Sequence, residues 1–144
     1  MNYLRLSVLL VGASAAADRP NLSGTWLLDA AHSQIRDSKL KTETLEIKQK
    51  EDAVEIADNA NIGGKDRKLE YECRADGRTC KAKDLSVMVY YNGPMLVVLE
   101  MSHNNAIVVK KSLKISEDGK TLSMEVIHIA PPGLKDESLT FVKQ

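Results

Sequence analysis

The stretch 85–129 limits the possible folds more than any other part of the chain. Successive side chains on a strand point to opposite faces, so a sheet covering a core alternates apolar and polar residues with period two. That alternation runs here through four consecutive segments separated by three turn signals. Asp118-Gly119 predicts a two-residue type I′ hairpin. It sets Ile115 opposite Leu122, Leu113 opposite Met124, Lys111 opposite Val126 and Val109 opposite His128. At Asn92-Gly93-Pro94 a three-residue loop is expected, because a two-residue Asn92-Gly93 turn would need an N–H that Pro94 lacks. This loop pairs Tyr91 with Met95, Val89 with Val97, Val87 with Leu99 and Leu85 with Met101. A three-residue loop at His103-Asn104-Asn105, with Asn105 left-handed, keeps Leu99 and Met101 on the face of Ile107 and Val109.

Two anomalies follow from this register. Lys111 and His128 stand on the otherwise apolar face, diagonal to one another on adjacent strands. An unpaired ammonium is costly to bury, so Lys111 either snorkels to the mouth of a barrel or meets an anion there, such as the carboxylate of a bound ligand. Lys111 and His128, with Tyr91, Met95 and Met124 from the same face, are the candidate ligand-binding residues. The second anomaly is outward: Met88, Tyr90, Leu96 and Val98 form an apolar cross-strand patch bordered by Glu100, Lys110 and Lys114. Such a patch suits contact with a partner protein or a second copy, or cover by the chain itself.

The flanking sequence fits one exported domain. Residues 1–17 have Arg5, a short apolar run and Ala15-Ala16-Ala17 before Asp18, the pattern of a cleaved signal peptide, with an apolar run too short to span a bilayer. Residues 18–144 are then a single β domain, long enough to bury one core. Lys plus Arg and Asp plus Glu both number 20, so no basic field exists to attract nucleic acid or an anionic membrane. Strands are expected at 44–49 and 53–57, joined by an even-length turn at Glu51-Asp52 that puts Leu45, Ile47, Val54 and Ile56 on one face. Residues 59–66 read as a loop around Gly63-Gly64, and 30–41 as a connection able to close one end of a barrel. Leu69, Tyr71 and Cys73 alternate with charges, and a two-residue Asp76-Gly77 turn sets Cys73 opposite Cys80 within disulfide reach. That bond suits an oxidising compartment; neither a redox motif nor a zinc site has the needed spacing.

A resemblance enters at the first strand. Gly24-Thr25-Trp26, followed by an antiparallel meander, resembles the lipocalin or calycin superfamily of secreted ligand-binding barrels. Leu22 to Asp29, with Asn92-Gly93-Pro94, Glu117-Asp118-Gly119-Lys120 and Pro131-Pro132-Gly133, is also similar to secreted bacterial proteins opening with L-S-G-T-W-x-L-D; that likeness implies export but no activity. The lipocalin likeness implies that a basic residue near the chain end covers the tryptophan, here Lys143 over Trp26.

No catalytic signature is present. The chain lacks G-x-S-x-G, and His32, His103 and His128 show neither triad nor metal-ligand spacing. The expectation is therefore an all-β, antiparallel up-and-down meander forming a lipocalin-like barrel or half-barrel, secreted or periplasmic. It binds a small apolar or amphipathic molecule, is not an enzyme and needs no cofactor or metal. A protein-binding barrel, protease-inhibitor-like or oligomeric, using the outer patch is the alternative.

Overall fold

The computed structural model describes residues 19–144; the expected signal peptide lies outside them. Ten antiparallel strands make one sheet: β1 (Gly24–Leu28), β2 (Leu40–Gln49), β3 (Ala53–Ile62), β4 (Lys65–Arg74), β5 (Asp76–Ala82), β6 (Leu85–Asn92), β7 (Met95–Ser102), β8 (Val108–Ile115), β9 (Thr121–Ala130) and β10 (Glu137–Lys143). The order is β4-β3-β2-β1-β10-β9-β8-β7-β6-β5, so each strand pairs with its sequence neighbours except at one seam, and β1 pairs with β10 to bring the ends of the meander together. The fold is the expected up-and-down barrel, nearly closed. A 3-10 turn, Ala30–His32, is the single helical element among the described residues, and no helix there is long and apolar enough to cross a membrane.

The seam lies between β4 and β5. β4 ends at Arg74 and β5 begins at Asp76, leaving no room for the two-residue turn that would fold β5 back along β4. β5 pairs with β6 instead, with Cys80 opposite Val87, while Cys73 pairs with Val54 on β3. The expected disulfide forms, but across the seam rather than between ladder partners, with a Cα–Cα distance of 5.6 Å.

Most of the expected register holds. Ile115 faces Leu122, Leu113 faces Met124, Lys111 faces Val126 and Val109 faces His128. The turn differs without moving the pairs: the amide N–H of Gly119 donates to Ser116 O, and only Gly119 has positive φ, so Asp118-Gly119 is not a type I′ turn. Gln49 faces Val54 and Ile47 faces Ile56 around Glu51-Asp52, as expected. Residues 59–66 are not a loop. β3 and β4 run on to Ile62 and Lys65, and Gly63-Gly64 turns between them with φ of 62° and 88°, the conformation a two-residue hairpin of this kind requires.

The important correction is β7. Asn92 pairs with Met95, so Gly93-Pro94 is a two-residue turn with Gly93 at φ 57°. Proline in the second loop position needs no N–H, because Met95 supplies the closing donor, and the objection to a two-residue turn applies only when proline follows it. The next loop holds four residues, 103–106, closed by the N–H of Ser102 on Ile107 O, with Asn105 left-handed as expected. Both loops differ from expectation by one residue, and the differences cancel at β8. Every β7 side chain therefore changes face. Leu96, Val98 and Glu100 point inward, opposite Tyr91, Val89 and Val87.

Candidate functional site

The site is built by a rule that repeats around the barrel. On each of seven strands the inward, alternate positions are apolar toward one end and turn polar toward the other. Ile47 and Leu45 lead to Glu43 on β2; Val54 and Ile56 to Asp58 on β3; Tyr71 and Leu69 to Arg67 on β4. Leu96 and Val98 lead to Glu100 on β7, Leu113 to Lys111 on β8, Val126 to His128 on β9, and Phe141 and Leu139 to Glu137 on β10. Five of these are nearly inaccessible: Glu43 5%, Asp58 3%, Glu100 7%, Lys111 9% and Glu137 3% exposed.

Charges so placed must meet one another. Lys111 Nζ lies 2.6 Å from Glu100 Oε1 and 3.4 Å from Asp58 Oδ2, and Arg67 Nη2 donates to the same Asp58 oxygen at 2.9 Å. Burial alone would lower the Lys111 pKa, but Glu100 and Asp58 outweigh it and hold the ammonium charged. Burial likewise works to raise Asp58, and Lys111 with Arg67 overcomes it, leaving that carboxylate below its ordinary range. Glu43 has no such cation of its own. Burial first, then the neighbouring Asp58 charge and a hydrogen bond with Asp58, push it up to about 8, so at neutral pH it keeps its proton. Asp58 Oδ1, in the same belt, is buried without a hydrogen-bond partner.

Above this belt the barrel is hollow. A cavity of about 400 Å³ is bounded by Glu43, Arg67, Glu100, Lys111, His128 and Glu137 among its polar walls, and by Leu40, Ile62, Leu69, Leu85, Val109, Met124, Val126 and Leu139 among its apolar ones. The connection between β1 and β2 runs along its rim. Gln34 bridges to Ser138, and Glu137 Oε2 accepts from the Arg36 N–H at 3.0 Å and the Ser38 hydroxyl at 2.8 Å, so one buried carboxylate fastens the strap beside the mouth. His128 Nε2, 3.6 Å from Glu137 Oε1, is buried without a hydrogen-bond partner.

The opposite end is solid. Trp26, Phe141, Leu22, Ile47, Val54, Val89, Leu96 and Leu122 are fully buried there, and the Trp26 indole N–H donates to Leu22 O at 2.9 Å. Lys143 stands with Nζ 5.6 Å from the Trp26 ring centroid, the cover that the barrel resemblance implied.

Of the five expected ligand-binding residues, Lys111, His128 and Met124 line the cavity. Tyr91 and Met95 do not. Tyr91 points inward at the solid end, where its hydroxyl accepts from Gln49 Nε2 at 2.8 Å, and Met95 leaves the inner face with the β7 register change. The same change divides the expected outer patch: Leu96 and Val98 are buried in the core, while Met88 and Tyr90 stay outside beside Leu99 and Val97. Glu43, Asp58, Arg67 and Glu137 were missed because the expected strands stopped short of them; continuing each alternation by one or two steps reaches all four. Among the described residues, no three His, Cys, Asp or Glu side chains are grouped to hold a metal ion.

No protein-family model matches the chain, and no curated protein matches it in sequence. Solved structures do. The fluorescent protein UnaG superposes with a TM-score of 0.63 at 14% identity, covering 85% of this chain and 96% of that one. Fatty-acid-binding protein 1 of Echinococcus granulosus gives 0.59 at 11% identity over 84% and 96%, and human cRBP IV gives 0.57 at 16% over 86% and 98%. At these identities the likeness establishes the fold, a lipocalin- or calycin-like β-barrel.

Proposed function

We propose that this chain is an exported binding protein that takes a small apolar or amphipathic molecule into the hollow end of its barrel. The cavity carries the reading. Its volume of about 400 Å³ falls within the range typical of small-molecule pockets, roughly 300–1,000 Å³, and it joins apolar walls to a few convergent polar groups. Lys111, His128 and Met124 contribute to those walls. The fold shared with a fatty-acid-binding protein supports an apolar ligand. Export, to a secreted or periplasmic location, is supported by the leader-like residues 1–17 and by the Cys73–Cys80 bond, a kind that persists in oxidising compartments. The protein-contact reading is weaker, because half of the patch it relied on is core.

The test is a titration of delipidated protein with a neutral apolar fluorophore, beside Val126→Trp, which fills the cavity from its wall. Saturable one-to-one binding by the wild type, lost in the folded variant, is expected. Absence of saturable binding by the wild type, or equal binding by the variant, would contradict the proposal.

A further inference from the structure

The polar belt also bears on which head group the cavity takes. We propose that the ligand presents a hydrogen-bond donor without negative charge, a hydroxyl or a primary ammonium, to Glu43 and Glu100, and that the site disfavours carboxylates. This rests on the cavity being the ligand site.

Acidic groups outnumber cations in the belt. The buried belt holds four carboxyl groups, Glu43, Asp58, Glu100 and Glu137, against two permanent cations, Lys111 and Arg67. Both cations are already committed: Lys111 to Glu100 and Asp58, Arg67 to Asp58. A ligand carboxylate would have to share Lys111 or Arg67 with carboxylates that these cations already pair, adding negative charge where acidic groups outnumber cations. Glu137 is bonded to the strap through Arg36 and Ser38. Glu43 is different. It lines the cavity close to Asp58 and, among the described residues, forms no ion pair with a cation. A ligand carboxylate would add charge of the sign already in excess, whereas a hydroxyl or ammonium supplies a donor to Glu43 and to the remaining lone pairs of Glu100. An ammonium could also take the place of the Glu43 proton, leaving the belt paired.

The experiment compares four twelve-carbon ligands in one displacement assay at pH 7, below their micelle concentrations: dodecylamine, dodecanol, dodecanoic acid and dodecyltrimethylammonium. The amine or the alcohol should bind at least tenfold more tightly than the acid. The quaternary ammonium, cationic but without a donor, should bind more weakly than the amine. In a folded Glu43→Leu variant the preferred ligand should lose at least fivefold, and the acid should not. Tightest binding by dodecanoic acid, or equal binding by all four, would overturn the head-group inference and leave the binding function standing. Failure of all four, together with the neutral fluorophore, would instead remove the binding function itself. A quaternary ammonium that matches the amine would show that charge rather than hydrogen bonding is read, and would overturn the inference as stated.

Discussion

The two ends of this barrel are made by the same strands with the same alternation, yet one is solid and the other hollow. At the Trp26 end the inward positions carry Trp26, Ile47, Val54, Leu96, Leu122 and Phe141, all fully buried. A few residues along the same strands, inward positions carry Glu43, Asp58, Arg67, Glu100, Lys111 and Glu137. Charged groups are stable in an interior only where partners and geometry suit them. They pair into a belt at mid-barrel and leave space above it. Alternation decides which side chains enter the barrel; their chemistry decides whether they fill it.

The sharpest tests set one end against the other. Phe141→Ala, at the solid end, should cost about 3–5 kcal/mol in urea unfolding while the folded fraction keeps wild-type affinity for an apolar probe. A matching loss of affinity would break the division into two ends. Lys111→Met should cost about 3 kcal/mol, since Glu100 and Asp58 stay buried without their cation, and adding Glu100→Gln should recover much of it. Equal stability of the two variants would mean that Lys111 and Glu100 are not energetically paired.

Smaller effects refine the picture. Replacing Cys73 and Cys80 together by Ala opens the seam beside Val54, and the chain-entropy relation for so short a loop gives about 2.5 kcal/mol. The change lies at the solid end, so calorimetric affinity for cavity ligands should hold; a loss there would extend the binding site along the seam. Glu43→Gln is the pH probe. Folded Glu43 keeps its proton up to about 8, whereas the unfolded chain releases it near 4.5, so the folded state binds more protons between these values. Wild-type stability contributed by this group therefore falls as pH rises from about 4.5 to 8. Glutamine has no proton to lose, and the variant should gain steadily on wild type between pH 5 and pH 8 in paired unfolding curves. A constant difference across that interval would mean that Glu43 is ionised throughout.

Much of the architecture is legible in the sequence because period-two alternation is strong in 85–129 and around Leu45, Val54 and Leu69. The site was harder to read, for one physical reason seen twice. Apolar residues stop short of the strand ends, so apolar periodicity alone leaves Glu43, Asp58, Arg67 and Glu137 outside strands that continue through them. On β7 the apolar run Met95 to Leu99 fits either face, so alternation could not set its register and the loop lengths had to. Placing Pro94 inside the two-residue turn accounts for Lys111 and redraws the outer patch. Leu96 and Val98 leave the surface for the core, and Glu100 leaves solvent to become the partner of Lys111. The same one-residue slip gives the buried cation its partner and puts Val97 and Leu99 beside Met88 and Tyr90 on the outer face.

The most direct test of the two-ended account is a backbone amide NMR titration with the tightest ligand of the twelve-carbon series. The account predicts that shifts concentrate at Glu43, Ile62, Glu100, Val109, Lys111 and His128 around the cavity, while Trp26, Val54, Leu96 and Phe141 stay in place. Shifts centred on the solid end, or on the outer face at Met88 and Tyr90 with the cavity amides unmoved, would contradict it.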